Sequence, residues 1–255
     1  MGSGTGSIGA GYWLTLAFLA AVAALLAHAG GLRLSRAVVT AALRAAAQLA
    51  AVSLVIVAVL RAWGLTVAFV LVMLVVASAT SARRIHRRRR DAAWAGAAIT
   101  LAVAPVLAVV LATGTVPARP VAVVPLAGIL IGGAMTATSL AGRRAIDDLT
   151  VRRGEHEALL ALGFPGPDAV RELCRPGIAQ ALHPALDQTR TVGLVTLPGA
   201  YVGVLLGGGD PVQAAAVQLL VLIGLLAVEV IAVLVVTELV AHRLIHHPGT
   251  TTPGR

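Results

Sequence analysis

Seven stretches of this chain each run for about 20 residues with almost no charge, the length a helix needs to cross the hydrocarbon core of a bilayer. They fall at roughly 12–29, 38–60, 64–81, 93–113, 121–141, 189–208 and 212–241. A segment crossing lipid must satisfy its own backbone, which leaves helices or closed barrels. Runs of Ala, Val and Leu without strand-like alternation predict the helical answer. The expectation is an all-α, polytopic membrane helical bundle with about seven transmembrane helices. Composition agrees: the 255 residues are 58% hydrophobic and only 12% charged, too little charge to cover a water-soluble domain. The stretch before the first span carries no basic side chain, so that span reads as retained rather than as a cleaved signal. The last span is long enough to be tilted or to project from the membrane.

The arginines sort by loop. Arg33 and Arg36 follow the first span, Arg83, Arg84 and Arg87 to Arg90 the third, Arg143, Arg144, Arg152 and Arg153 the fifth, and Arg243 the seventh. The alternate loops hold only Arg61, Arg119 and Asp210. Cytoplasmic loops collect positive charge, so the N-terminus is expected outside and the C-terminus inside, in the plasma (inner) membrane. The Arg83–Arg90 run has no interleaved aromatic residues for base stacking and abuts a span. It reads as a topology and anionic-lipid determinant, and no nucleic-acid partner is expected.

All 20 basic residues are arginine. A phosphate-binding loop of the G-x-x-x-x-G-K-[ST] type needs a lysine, so no such nucleotide site is expected and the chain is not read as an enzyme. Any ATP and Mg would be bound by another subunit, and no cofactor is expected on this chain. Cys174 is the only cysteine, which excludes an intrachain disulfide or a thiolate metal cluster.

The chain reads as one transmembrane domain, 1–255, with a long cytoplasmic loop at about 142–188. From Gly142 to Arg190 there are seven arginines and seven acidic residues. Balanced charge points to a folded, partner-binding segment rather than a topological one. Its middle, Glu155 to Asp168, predicts a short helix ended by Gly163, a turn at Pro165 and Pro167, and a second helix from Pro167 that stops before Pro176. Asp168 sits in the first turn of that helix, where the dipole favours it. The Glu157-Ala158 pair six residues ahead of Gly163 resembles the EAA loop of ABC permeases. By that resemblance Glu157 and Gly163 shape a docking loop, and Phe164, Asp168, Arg171 and Arg175 face an ATPase subunit.

A second resemblance is denser. Pro125-Leu126-Ala127-Gly128, Ala134 to Leu140, Leu160 to Gly163, Val192 to Gly199, Gly203, Gly207-Gly208, Pro211, Ala214 and Gln218, together with Arg44 and Gln48, resemble the FetB-type permeases. That family is assigned to metal export, and its plant relatives are linked to aluminium tolerance. The resemblance implies a membrane subunit that works with a separate ABC ATPase, as a homodimer of permease chains, to export a metal cation. Two departures stand out. Gly133 occupies a position where the family usually has Asn. Ala200-Tyr201-Val202-Gly203-Val204 replaces a frequent Met-Met-Thr-Gly-Gln.

Within the spans, Gly128 and Gly132, and Gly199, Gly203 and Gly207, have the four-residue spacing that lets helices approach closely, and helix packing is their expected role. Gln218 and Glu229 lie eleven residues apart, about three turns, and so share a helix face. Polar groups inside a span are costly and face the protein interior. The expected substrate path is Gln48, Met135, Gln218 and Glu229, with no fixed metal site. The alternative for Glu229 is a bridge to Arg44. Two other classes remain open: a secondary carrier or channel without an ATPase, and an intramembrane enzyme, for which Ser53, Ser78 and Ser139 lack a histidine at matching depth.

Overall fold

The computed structural model describes residues 9–85 and 91–245. Arg87 to Arg90 of the basic run, and the C-terminal residues after Ile245, lie outside them. Among the described residues the secondary structure is helical, apart from one isolated bridge between Val192 and Thr196. Six helices among these residues are long and apolar enough to cross a membrane.

The chain divides into two units. The first, Met1–Arg61, contains α1 (Ala10–Ala29) and α2 (Ser35–Arg61). A tight turn links them. Leu32 N–H donates to Ala27 O at 3.1 Å, and Gly31 takes a positive φ of 68°. Arg44 and Gln48 lie on α2 and are exposed within this unit.

The second unit, Ala62–Arg255, is built on α3 (Trp63–Ile85), α4 (Asp91–Ala112), α5 (Pro120–Val151) and α10 (Pro211–Ala241). α5 and α10 form its centre, with α3 and α4 packed against them. The contact faces are rich in alanine: Ala98, Ala102, Ala127, Ala134, Ala137, Ala141 and Ala232 are almost fully buried. Alanine keeps interhelical distances short, which drives association where lipid removes the hydrophobic effect.

Glycine does this work at fewer positions than its spacing suggests. A side chain at Gly128 would press on Met73 Cε of α3 at 2.9 Å. One at Gly142 would press on Ile85 Cδ1 at 2.8 Å and approach Val236 Cγ2 at 3.3 Å, which brings the ends of α3, α5 and α10 together. At Gly132, Gly199 and Gly203, by contrast, an added Cβ would meet nothing within 4 Å. Gly207 ends a helix, with its N–H on Gly203 O at 3.0 Å. The packing role expected of these four is therefore not fulfilled by contacts among the described residues, because periodicity marks a face without saying what covers it.

Three expectations need correction. α5 does not end at residue 141 but continues ten residues further, because Ala145, Ile146 and Leu149 stay buried and Arg143 faces Asp147 at i, i+4. The helix expected to stop before Pro176 runs on to Ala179. Its buried face, Ala169, Val170, Leu173, Cys174 and Ile178, holds it against α5 and α10, and this packing overrides the hydrogen bond lost at Pro176.

The third correction concerns the span expected at 189–208. It is not one helix. α8 (His183–Thr191) ends, residues 192–198 form a non-helical turn, and α9 (Gly199–Leu206) follows. Gly193 takes φ 81°, and its N–H donates to Thr196 O at 2.9 Å. Pro198 precedes the first residue of α9. Hydropathy sees the apolar side chains of this segment but not the turn that Gly193 and Pro198 impose.

Candidate functional site: a groove beside a broken helix

Residues 166–206 run antiparallel along α10. Arg171 meets Glu238, Leu182 shares a cavity with Val233 and Leu234, and Ala185 and Gln188 share one with Leu225 and Glu229. Further along, Pro198 to Ala200 face Gln218 to Leu225, and Tyr201 N–H donates to Gln218 Oε1 at 3.2 Å. The broken element thus lies beside the apolar length of α10.

Two cavities follow this line and join. One, of about 470 Å³, is lined by Pro125, Pro198, Gly199, Gln218 and Leu222, among others. The other is lined by Gly132, Gly133, Thr136, Ala185 and Glu229, among others. Ile129, Gln188 and Leu225 border both, so they form one groove between α5, α8, α9 and α10.

Its polar groups are few. Glu229 is 8% exposed and Gln218 5%. Gln218 satisfies one of the free N–H groups at the start of α9, which has no capping side chain of its own. Glu229 has no hydrogen bond or ion pair to a described residue. A Cβ at Gly133 would come within 2.9 Å of Glu229 Oε1 and would collide with Leu225. The bare glycine, where the resemblance expects Asn, is what gives Glu229 and Leu225 their room. The third group is Gln188 on α8, exposed where the two cavities meet. Near it ends α8, with the negative end of its dipole. Carboxylate and amide oxygens beside a helix C-terminus are donors for a hard cation, and broken helices near the membrane midplane place such ends at transport sites. Among the described residues no three His, Cys, Asp or Glu side chains come together as a metal cluster.

The structure therefore brings Gln218 and Glu229 together along one groove. Met135 lies off it, on the face of α5 that packs into the core. Gln48 belongs to the first unit. Gln188 was missed by sequence reasoning because it sits at the edge of an assumed continuous span. The signal available was the Gly and Pro interruption that follows it.

The second feature is the helix–turn–helix of α6 (Arg153–Ala161) and α7 (Gly166–Ala179). Gly163 has φ 88°. Its N–H donates to Leu160 O at 3.0 Å, and Phe164 N–H donates to Leu159 O at 3.1 Å, the paired bonds of a Schellman motif. The turn leaves Leu162 and Phe164 exposed, at 77% and 42%. Glu157 pairs with Arg153 at 2.9 Å on the solvent side. Arg171 makes a two-pronged contact with Glu238, Nε to Oε1 at 2.8 Å and Nη2 to Oε2 at 2.6 Å, and also pairs with Asp168. The Glu238 contact, the larger influence, and Asp168 together push the guanidinium pKa above its usual value. Arg171 and Asp168, expected to face a partner, thus also tie α7 to the end of α10, while Arg175 remains exposed. Cys174 lies under this helix with its thiol pushed up to about 12, chiefly by burial.

The chain is 33% identical over 152 residues to the UPF0014 membrane protein STAR2 of Oryza sativa subsp. japonica, a match covering 60% of this chain and 53% of that relative. It is 37% identical over 134 residues to the "Probable iron export permease protein FetB" of Escherichia coli (strain K12), covering 51% and 50%. The UPF0014 membrane protein YjkA of Bacillus subtilis (strain 168) is 28% identical over 194 residues, covering 74% and 77%. The first of these alignments thus spans about half the length of the relative. No solved structure matches. The model of the uncharacterised protein family UPF0014 matches residues 12–245, nearly the whole sequence. This multi-pass helical membrane protein belongs to the UPF0014 family.

Proposed function

We propose that this chain is the membrane subunit of an ATP-driven exporter, moving a metal cation along the α5–α8–α9–α10 groove while a separate ABC ATPase docks on α6 and α7. The observation that carries the path is the broken helix that sets Gln188, Gln218 and Glu229 along one groove. The name of the E. coli relative supports a permease role and a metal cargo. ATP and Mg belong to the partner, two copies of this chain form the complex, and the N-terminus faces outward. A carrier without an ATPase would have no use for a solvent-facing helix–turn–helix with exposed apolar residues at its tip.

Docking is tested at Gly163. In Gly163→Val a β-branched side chain meets a positive φ, and the turn is displaced. In Gly163→Asn the same φ is tolerated far better. The expected result is that the Val variant reaches the membrane but no longer stimulates or retains the ATPase, while the Asn variant keeps most of both. Equal coupling by Val and Asn variants would remove this turn from the mechanism.

A further inference from the structure

We propose that Thr136 of α5 is a further cation ligand, forming with Glu229 of α10 and Gln188 of α8 a subsite for one hard metal cation. The subsite rests on the transport path proposed above. Its three side chains border one cavity of about 250 Å³, each from a different wall. Their levels along the helices agree. Gly133 adjoins Leu225 and Glu229, and Gly142 adjoins Val236, so α5 and α10 run in the same direction. Thr136, three residues past Gly133, therefore lies within about one turn of the level of Glu229.

The chemistry of the hydroxyl is fixed by its own helix. Thr136 Oγ1 donates to Gly132 O at 3.0 Å, which commits its only proton. Lone pairs are what remain for the cavity, so the group can accept or ligate but not donate. Glu229 borders the same space, almost fully buried and without a hydrogen bond or ion pair to a described residue. An unpaired carboxylate within a span is costly, and a cation supplies the missing partner. Gly133 makes the gap between the two helices. A Cβ there would collide with Leu225 and come within 2.9 Å of Glu229 Oε1, so only a bare backbone lets the carboxylate lie against α5. One carboxylate with neutral hydroxyl and amide oxygens, and no sulfur or imidazole among them, is a donor set for a hard cation.

The test is iron(II) uptake into inside-out vesicles carrying the chain with its ATPase, followed against iron(II) concentration at equal amounts of inserted chain. Thr136→Val keeps the shape of the side chain and removes its oxygen. KM should rise about tenfold, the loss expected for one contact to a charged group, with the maximal rate within about twofold of the parent's. Thr136→Ala should match it, and Thr136→Ser, which keeps the hydroxyl, should stay near the parent. Thr80→Val removes a similar bond to its own helix, from Thr80 Oγ1 to Val76 O on α3, and should leave KM unchanged. The proposal is overturned if Thr136→Val and Thr136→Ala keep the parent's KM. It is equally overturned if Thr136→Ser or Thr80→Val raises KM as much as Thr136→Val does. ATP-dependent uptake by the parent separates these outcomes from a failure of the path itself: a parent without it overturns the path and the subsite together.

Discussion

Replacing Glu229 with Gln should reduce ATP-dependent cation movement by about tenfold or more while leaving assembly intact. The side chain is nearly isosteric, so the packing against Leu225 and Gly133 survives. What is lost is the one carboxylate on the groove, which has no partner among the described residues. An interaction with a charged group is worth roughly 1.5–3 kcal/mol, and each 1.4 kcal/mol is about tenfold. A bridge between Glu229 and Arg44 predicts something else, namely that Arg44→Gln restores the loss. On the path reading the double variant is as inactive as Glu229→Gln alone. Efflux of a metal such as iron(II) from loaded vesicles decides between them.

Breaking the tie between α7 and α10 should uncouple the ATPase almost as completely. Arg171→Ala removes both prongs of the contact with Glu238 and the pair with Asp168. The proposed docking helix then loses its fixed link to the helix that carries Glu229 and Gln218. Glu238→Ala should do nearly the same, and the double variant should be little worse than either alone, because groups in one network do not add. Were Arg171 instead a direct contact to the ATPase, the two losses would be independent and would multiply. The measurement is ATPase stimulation by the reconstituted complex across the four variants of the cycle.

The route from α7 to the groove is short. α7 ends at Ala179, a single 3-10 turn spans Gln180–Leu182, and α8 begins at His183. No loop intervenes between the proposed docking helix and Gln188. A displacement of α7 would therefore be carried to the junction of the two cavities, in keeping with the rigid elements through which coupling travels.

Most spans were legible because lipid imposes one dominant rule on sequence, a sustained apolar run. The helices at 10–29, 35–61, 63–85, 91–112 and 211–241 begin and end within a few residues of the hydropathic segments. The Schellman turn at Gly163 was legible too, since Gly followed by Pro165 leaves few alternatives. The seventh segment was misread because hydropathy scores side chains, and Leu194, Val195 and Leu197 score alike in a helix or a turn. α7 was misread because propensity at Pro176 is local, whereas the burial of Cys174 and Ile178 on either side is tertiary. Within the groove, the eleven-residue spacing revealed that Gln218 and Glu229 share a face. Met135 was placed with them on chemistry alone, and helix phase turns it toward the core. Gln188 needed the break to be seen first.

The most direct test of ATP-driven cation transport uses inside-out membrane vesicles from cells producing this chain together with its ATPase. Radiolabelled iron(II) is supplied outside, and accumulation is followed with and without ATP. The account predicts uptake that requires ATP, is lost in Gly163→Val without loss of the chain from the membrane, and is lost in Glu229→Gln with the ATPase still bound. Accumulation that proceeds equally without ATP, driven by an ion gradient and indifferent to Gly163→Val, would contradict it.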